Sequence, residues 1–156
     1  MKRTKGKSHC PINFGLEAFG DPWSLLVIRD IVYFGKRTFT EFSDSDEGVA
    51  PSVLTARLAE LETNGILNRT PDPGDARRVV YTLTENGLAL IPVLLEIANW
   101  SAGVDAETDA PPEWIEAVHR DKTAMTELIT ATVRAGGSIF VGSDSVVAAL
   151  SASGQN

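Results

Sequence analysis

The sequence predicts a mainly α fold with one small antiparallel hairpin. Three observations carry the prediction. Apolar residues recur at helical spacing through most of the chain. Pro, Asp, Thr and Gly stand where helices should begin and end. Only residues 66–84 hold two short strand-like runs about a turn-rich stretch, Pro71-Asp72-Pro73-Gly74-Asp75-Ala76.

Taken in order, Cys10-Pro11 opens a short helix through Phe19, with Pro at a position whose N–H would have no partner anyway. Gly20-Asp21-Pro22 ends it and starts another, with Asp21 as the N-cap. Trp23 to Phe34 is apolar on nearly all sides, the mark of a central helix, and Gly35 stops it. Thr38 to Glu41 is a capping box opening a very short helix. The next helix runs from about Pro51 to Thr63, with Ala50 as a poor N-cap and Asn64-Gly65 as its stop.

Ile66 to Thr70 and Val79 to Thr84 read as paired strands. Thr84 then caps a long apolar helix, 85–100, which Pro92 should kink. Beyond a linker, 113–134 has helical spacing as one piece. Ser138 to Val141 suggests a strand, and Asp144 to Leu150 a last short helix. Three helices followed by a hairpin is the order of a winged helix-turn-helix, here with an additional C-terminal helical segment. The expected divisions are a basic arm at 1–9, a DNA-binding and dimerisation domain at 10–103, a linker at 104–112 and an acidic extension at 113–156.

Composition excludes several classes. Apolar residues make up 43% and charged residues 22%, ordinary for a globular protein. One cysteine and two histidines leave no material for a disulfide framework or a zinc site, so no metal and no cofactor is expected. No apolar run approaches the ~20 residues of a membrane helix, and no signal-type segment follows the N-terminus, so a cytoplasmic protein with no membrane partner is expected. The net charge is −7, yet residues 1–103 carry only −2 of it and residues 104–156 carry −5. Bases cluster at residues 2–7, at Lys36-Arg37 and at Arg77-Arg78, and local patches decide phosphate binding. No nucleophile pairs with a histidine, and no phosphate loop is present, so an enzyme is not expected.

The helix at 51–63 carries the functional reading. Leu54, Leu58 and Leu61 form its core face, and Ser52, Ala56, Ala59 and Thr63 lie opposite. That small, neutral face suits the floor of a major groove, with Pro51, Thr55 and Arg57 beside it. An Ala-rich helix chosen for propensity would look the same. Arg77 and Arg78 follow the hairpin turn, where a wing meets phosphates; a solvated basic pair is the alternative. Lys36, Arg37, Thr38 and Thr40 surround a helix start, a natural phosphate position. Leu88, Ile91, Leu95 and Trp100 belong to a helix with more apolar surface than one small core can cover, so they are expected at a homodimer interface.

Residues 10–100 resemble the HxlR-type winged helix-turn-helix transcriptional regulators, relatives of the MarR group. The matching stretches are Cys10-Pro11, the run from Gly20 to Asp30, Arg37 to Phe42, Glu47 to Ala50, Leu54 to Glu62, Val80 to Gly87 and Pro92-Val93-Leu94. Pro51-Ser52 and the tail beyond residue 103 depart from the pattern. The resemblance implies a homodimeric repressor or activator on an inverted-repeat operator in double-stranded DNA. It also marks Cys10 as a candidate redox sensor, responding to an oxidant or small-molecule effector. A helix N-terminus, with Lys7 and His9 near, favours the thiolate; a buried structural cysteine is the alternative. A winged-helix module that binds protein and no DNA remains the rival function.

Overall fold

The computed structural model describes residues 8–109 and 111–153. The basic arm's Lys2, Arg3, Lys5 and Lys7 lie outside the described residues. The chain forms two compact units, one of residues 1–31 and 36–87, the other of residues 32–35 and 88–156.

The first unit holds α1 (Pro11–Phe19), most of α2 (Pro22–Phe34), α3 (Phe39–Ser43), α4 (Pro51–Thr63), β1 (Leu67–Pro71), β2 (Val79–Leu83) and the start of α5 (Glu85–Leu88). Asp21 caps α2 as expected, accepting the Ser24 N–H at 3.0 Å. The capping box of α3 is complete, with Thr38 and Glu41 exchanging side chain and backbone bonds. Helix α4 has no side-chain cap, since Ala50 occupies that position. A lost cap costs about 1 kcal/mol. Leu54, Leu58 and Leu61, each at most 2% exposed, offset it several times over at about 1.5–3 kcal/mol apiece. Gly65, at φ 67°, turns the chain out of α4 where a side chain would be strained.

The hairpin is antiparallel, pairing Leu67 with Leu83 and Arg69 with Tyr81. Tyr81 is buried and meets Phe42 at 6.1 Å, while its N–H donates to the Arg37 carbonyl at 2.7 Å. Strand β2 is thus tied to the start of α3. Gly87 lies so close to β1 that a Cβ there would stand 2.3 Å from the Ile66 carbonyl.

In the second unit, the helix expected at 85–100 is two. After α5 the chain turns at Ala89-Leu90, and α6 (Ile91–Val104) begins with Pro92 in its first turn. A proline inside a helix costs about 3 kcal/mol through a lost bond and a clash, so the chain restarts the helix instead of bending it. Helix α6 runs past Trp100 into the segment read as linker. The stretch Glu85–Val104 corrects the reading that no apolar run approaches membrane-helix length: by length and composition alone it is long and apolar enough to cross a membrane. Leu88, Leu90, Ile91, Leu94 and Leu95 are instead buried in the chain.

The segment 113–134 likewise divides, into α7 (Pro112–Arg120) and α8 (Lys122–Arg134). Asp121 leaves helical geometry and caps α8, accepting the Ala124 N–H at 2.9 Å. Helix α8 packs on α6, α7 and α9 (Val146–Ser153).

Ser138 to Val141 is a turn, not a strand. The Ser138 hydroxyl donates to the Val141 carbonyl at 2.8 Å and accepts its N–H at 3.0 Å. Such local bonding competes with a strand ladder. The Ile139 and Phe140 N–H groups donate to the Val32 and Tyr33 carbonyls, which the end of α2 leaves without helical partners.

Candidate nucleic-acid interface

Helix α4 presents Pro51, Ser52, Thr55, Ala56, Ala59 and Thr63 to solvent, opposite its buried leucines. These residues are small and uncharged, and Glu62, also exposed, puts one negative charge at the C-terminal end of the strip. Thr55 and Thr63 donate to the Pro51 and Ala59 carbonyls, each at 2.8 Å, leaving oxygen lone pairs outward to accept. Arg57 is engaged within the chain, 2.6 Å from Glu60 and 3.5 Å from Asp21.

The wing carries Arg77, 92% exposed and paired with Asp75 at 3.2 Å. Arg78 is 64% exposed and 3.9 Å from Asp72. Both pairs are loose surface contacts of small net value, so they can exchange for phosphate. Hydrogen bonds from Arg77 hold the Asp75 carboxyl below its ordinary range. Sequence reading missed Arg69, an exposed cation on β1. It stands alone in its strand, so no cluster signalled it.

At the start of α3 the polar groups have partners within the chain. Lys36 was expected at phosphate; its ammonium is 3.1 Å from Asp30 and 2.6 Å from the Ser45 hydroxyl. Asp30 is 2% exposed and also binds Arg29, at 2.6 Å, and the Ser45 hydroxyl. Arg29 in turn pairs with Glu47. This network pins the turn between α3 and α4, and Lys36 is part of that structure. The Arg37 and Thr38 N–H groups, which could have met phosphate, both donate to Glu41, at 2.8 and 2.7 Å. Burial pushes the Glu41 carboxyl up; these bonds, the Thr38 hydroxyl and the Arg78 charge outweigh it and hold Glu41 below its ordinary range. Burial lowers the Arg37 guanidinium, with Glu41 partly restoring it. Thr40 is exposed.

Of the four residues expected at a dimer interface, Leu88, Ile91 and Leu95 are 4%, 0% and 3% exposed and are core positions. Trp100 is 68% exposed. The apolar surface that α6 leaves open is Val93, Ile97, Trp100 and Val104, spaced four, three and four residues apart. Cys10 is exposed, at the N-cap position of α1, which removes the buried structural reading. Among the described residues no group of His, Cys, Asp and Glu could hold a metal ion.

The sequence profile of the HxlR-like helix-turn-helix family matches residues 18–108. The chain is 38% identical over 86 residues to the uncharacterised HTH-type transcriptional regulator sll1512 of Synechocystis, covering 55% of this chain and 63% of that one. Against this relative it therefore spans less than two-thirds of the length. It is 33% identical over 97 residues to the HTH-type transcriptional regulator YodB of Bacillus subtilis, 62% of this chain and 86% of that one. The redox regulator HypR in its oxidised form superposes with a TM-score of 0.54 at 28% identity, over 65% of this chain and 100% of HypR. Three helices and a two-stranded wing agree with this profile, and the chain belongs to the HxlR-like helix-turn-helix family of transcriptional regulators, with a DNA-binding helix-turn-helix fold.

Proposed function

We propose that the protein is a homodimeric, sequence-specific regulator that seats α4 in the major groove of an inverted-repeat operator. The observation that carries this is the solvent face of α4. Ser52, Thr55 and Ala56 are exposed, small and uncharged, and can approach base edges and thymine methyls closely. Arg77, Arg78 and Arg69 sit on the wing, and Arg37 and Thr40 beside the α3 start, as backbone contacts. Arg57 orients α4 through Asp21 and Glu60. Two copies join through the open stripe of α6, and the two-fold axis sets the operator's symmetry. Residues 10–103 serve DNA binding and dimerisation, and residues 113–156 form an acidic extension. Such a regulator works where the genome lies, in the cytoplasm, and needs no catalytic group.

Selection from random duplexes, followed by affinity measured against salt, tests this reading. The expected outcome is an enriched two-fold site, with log K falling by ~0.9 per phosphate neutralised. Arg77→Ala with Arg78→Ala should weaken every duplex alike and flatten that slope, while Thr55→Ala should change preference at one base pair. No duplex affinity at low salt would favour the protein-binding alternative.

The exposed Cys10 supports a thiol response, as does the likeness to HypR, named a redox regulator. With one cysteine per chain, oxidation gives an intersubunit or mixed disulfide. Diamide with a small thiol should change the operator affinity of the wild type and leave Cys10→Ser untouched; equal responses refute the sensor.

A further inference from the structure

The C-terminal extension carries an open cleft of its own. Between α7, α9 and the turn 138–141 lies a space of about 330 Å³. Small-ligand sites run from about 300 to 1,000 Å³. The wall is apolar, built of Trp114, Ala117, Phe140, Val147 and Leu150. Trp114 and Phe140 meet edge to face, with ring centroids 5.4 Å apart and planes at 65°. Tyr33 holds Phe140 as well, at 5.7 Å. The aromatic wall is therefore fixed by its own packing before any ligand arrives. Val147 and Leu150 are 38% and 37% exposed, so the mouth opens to water.

Charge selects the occupant. Among the described lining residues Glu113 alone is charged, and Ser151 supplies a hydroxyl. Helix α7 starts at the cavity with Pro111 as N-cap and Pro112 in its first turn. Neither has an N–H, so this helix end is missing two of the donors that would hold an anion. Residues 104–156 add a net charge of −5. An anion is repelled here, and a neutral molecule leaves Glu113 unused.

We propose that this cavity binds a small lipophilic cation, its planar aromatic body against Trp114 and Phe140 and its ammonium at Glu113. The ligand would press on the turn whose Ile139 and Phe140 N–H groups hold the last carbonyls of α2. Nothing in the proposal depends on the DNA reading.

The test titrates the full chain calorimetrically at pH 7 with three probes of matched shape: 1-naphthylmethylammonium, 1-naphthylmethanol and 1-naphthoate. The ammonium should bind tightest, with NMR shifts centred on Trp114 and Phe140. Glu113→Gln should cost it about threefold, the scale of one exposed ion pair, and leave the alcohol unchanged. Leu150→Trp should fill the mouth and abolish binding of all three. Should that variant unfold, Val147→Lys serves: it should weaken the ammonium and strengthen the naphthoate. Equal binding of the three, preference for naphthoate, no binding at millimolar concentration, or shifts centred elsewhere would each overturn the proposal. So would a second copy on the groove, seen as a loss of assembly mass in Leu150→Trp with no probe bound by the wild type.

Discussion

Asp30 shows how one side chain fixes the turn that leads into α4. It is a carboxylate at 2% exposure, met by Arg29, Lys36 and Ser45. Removing one partner of a buried pair costs about 3–5 kcal/mol, because the charges left behind are unpaired. Arg29 keeps Glu47 and Lys36 keeps Ser45, and these cations are 25% and 23% exposed, so Asp30→Ala should lower the free energy of unfolding in urea by less, about 1–2 kcal/mol. A change under about 0.5 kcal/mol would mean that the network is slack. The same network gives an acid signature. Hydrogen bonds from Arg29 hold Glu47 below its ordinary range against the opposing effect of burial, and Glu41 is also depressed. A depressed carboxylate stabilises the fold above its unfolded value, near pH ~4.3, and that share is lost as pH falls through the folded value. Urea midpoints should be flat from about pH 7 to 5 and drop below about 4.5, less steeply in Arg29→Met.

At the scale of elements, the caps and stops of α1 to α4 were legible because each depends on neighbours in sequence. Asp21, Thr38, Glu41 and Gly65 act within one turn. Pro92 was legible as a disturbance but not as a fresh helix start. Asp121 was not legible as a break, since its capping of α8 competes with a helix that apolar spacing alone would continue. Helix α6 makes the clearest case. Its apolar residues number more than a core can take, but which of them are surplus depends on what covers each. Val93, Ile97, Trp100 and Val104 are the open ones, at the spacing of a helix–helix seam. Ile97→Glu with Trp100→Glu should therefore yield monomers by sedimentation at micromolar concentration, with helix content unchanged. A dimer persisting in that variant would place the interface elsewhere.

Across the whole molecule, local order and tertiary order divide cleanly. The winged helix-turn-helix, its element order and the outward face of α4 followed from the sequence, because periodicity, capping and turn chemistry act over a few residues. Lys36 and Arg57 looked like DNA contacts by type and position, yet Asp30 and Asp21 hold them. Partners from other elements are invisible to spacing. The turn at 138–141 is decided the same way, by a serine hydroxyl bonding its own backbone and by the end of α2. So is the aromatic cavity, whose walls come from residues 111–117 and 140–151. By itself the sequence determined the class, the helix at 51–63 with its outward face, and the hairpin, because those rest on short-range chemistry. Only the tertiary structure decided which charges are paired across elements, which apolar residues of α6 stay open, and which residues line the cleft of the acidic extension, because burial and pairing depend on residues far apart in the chain.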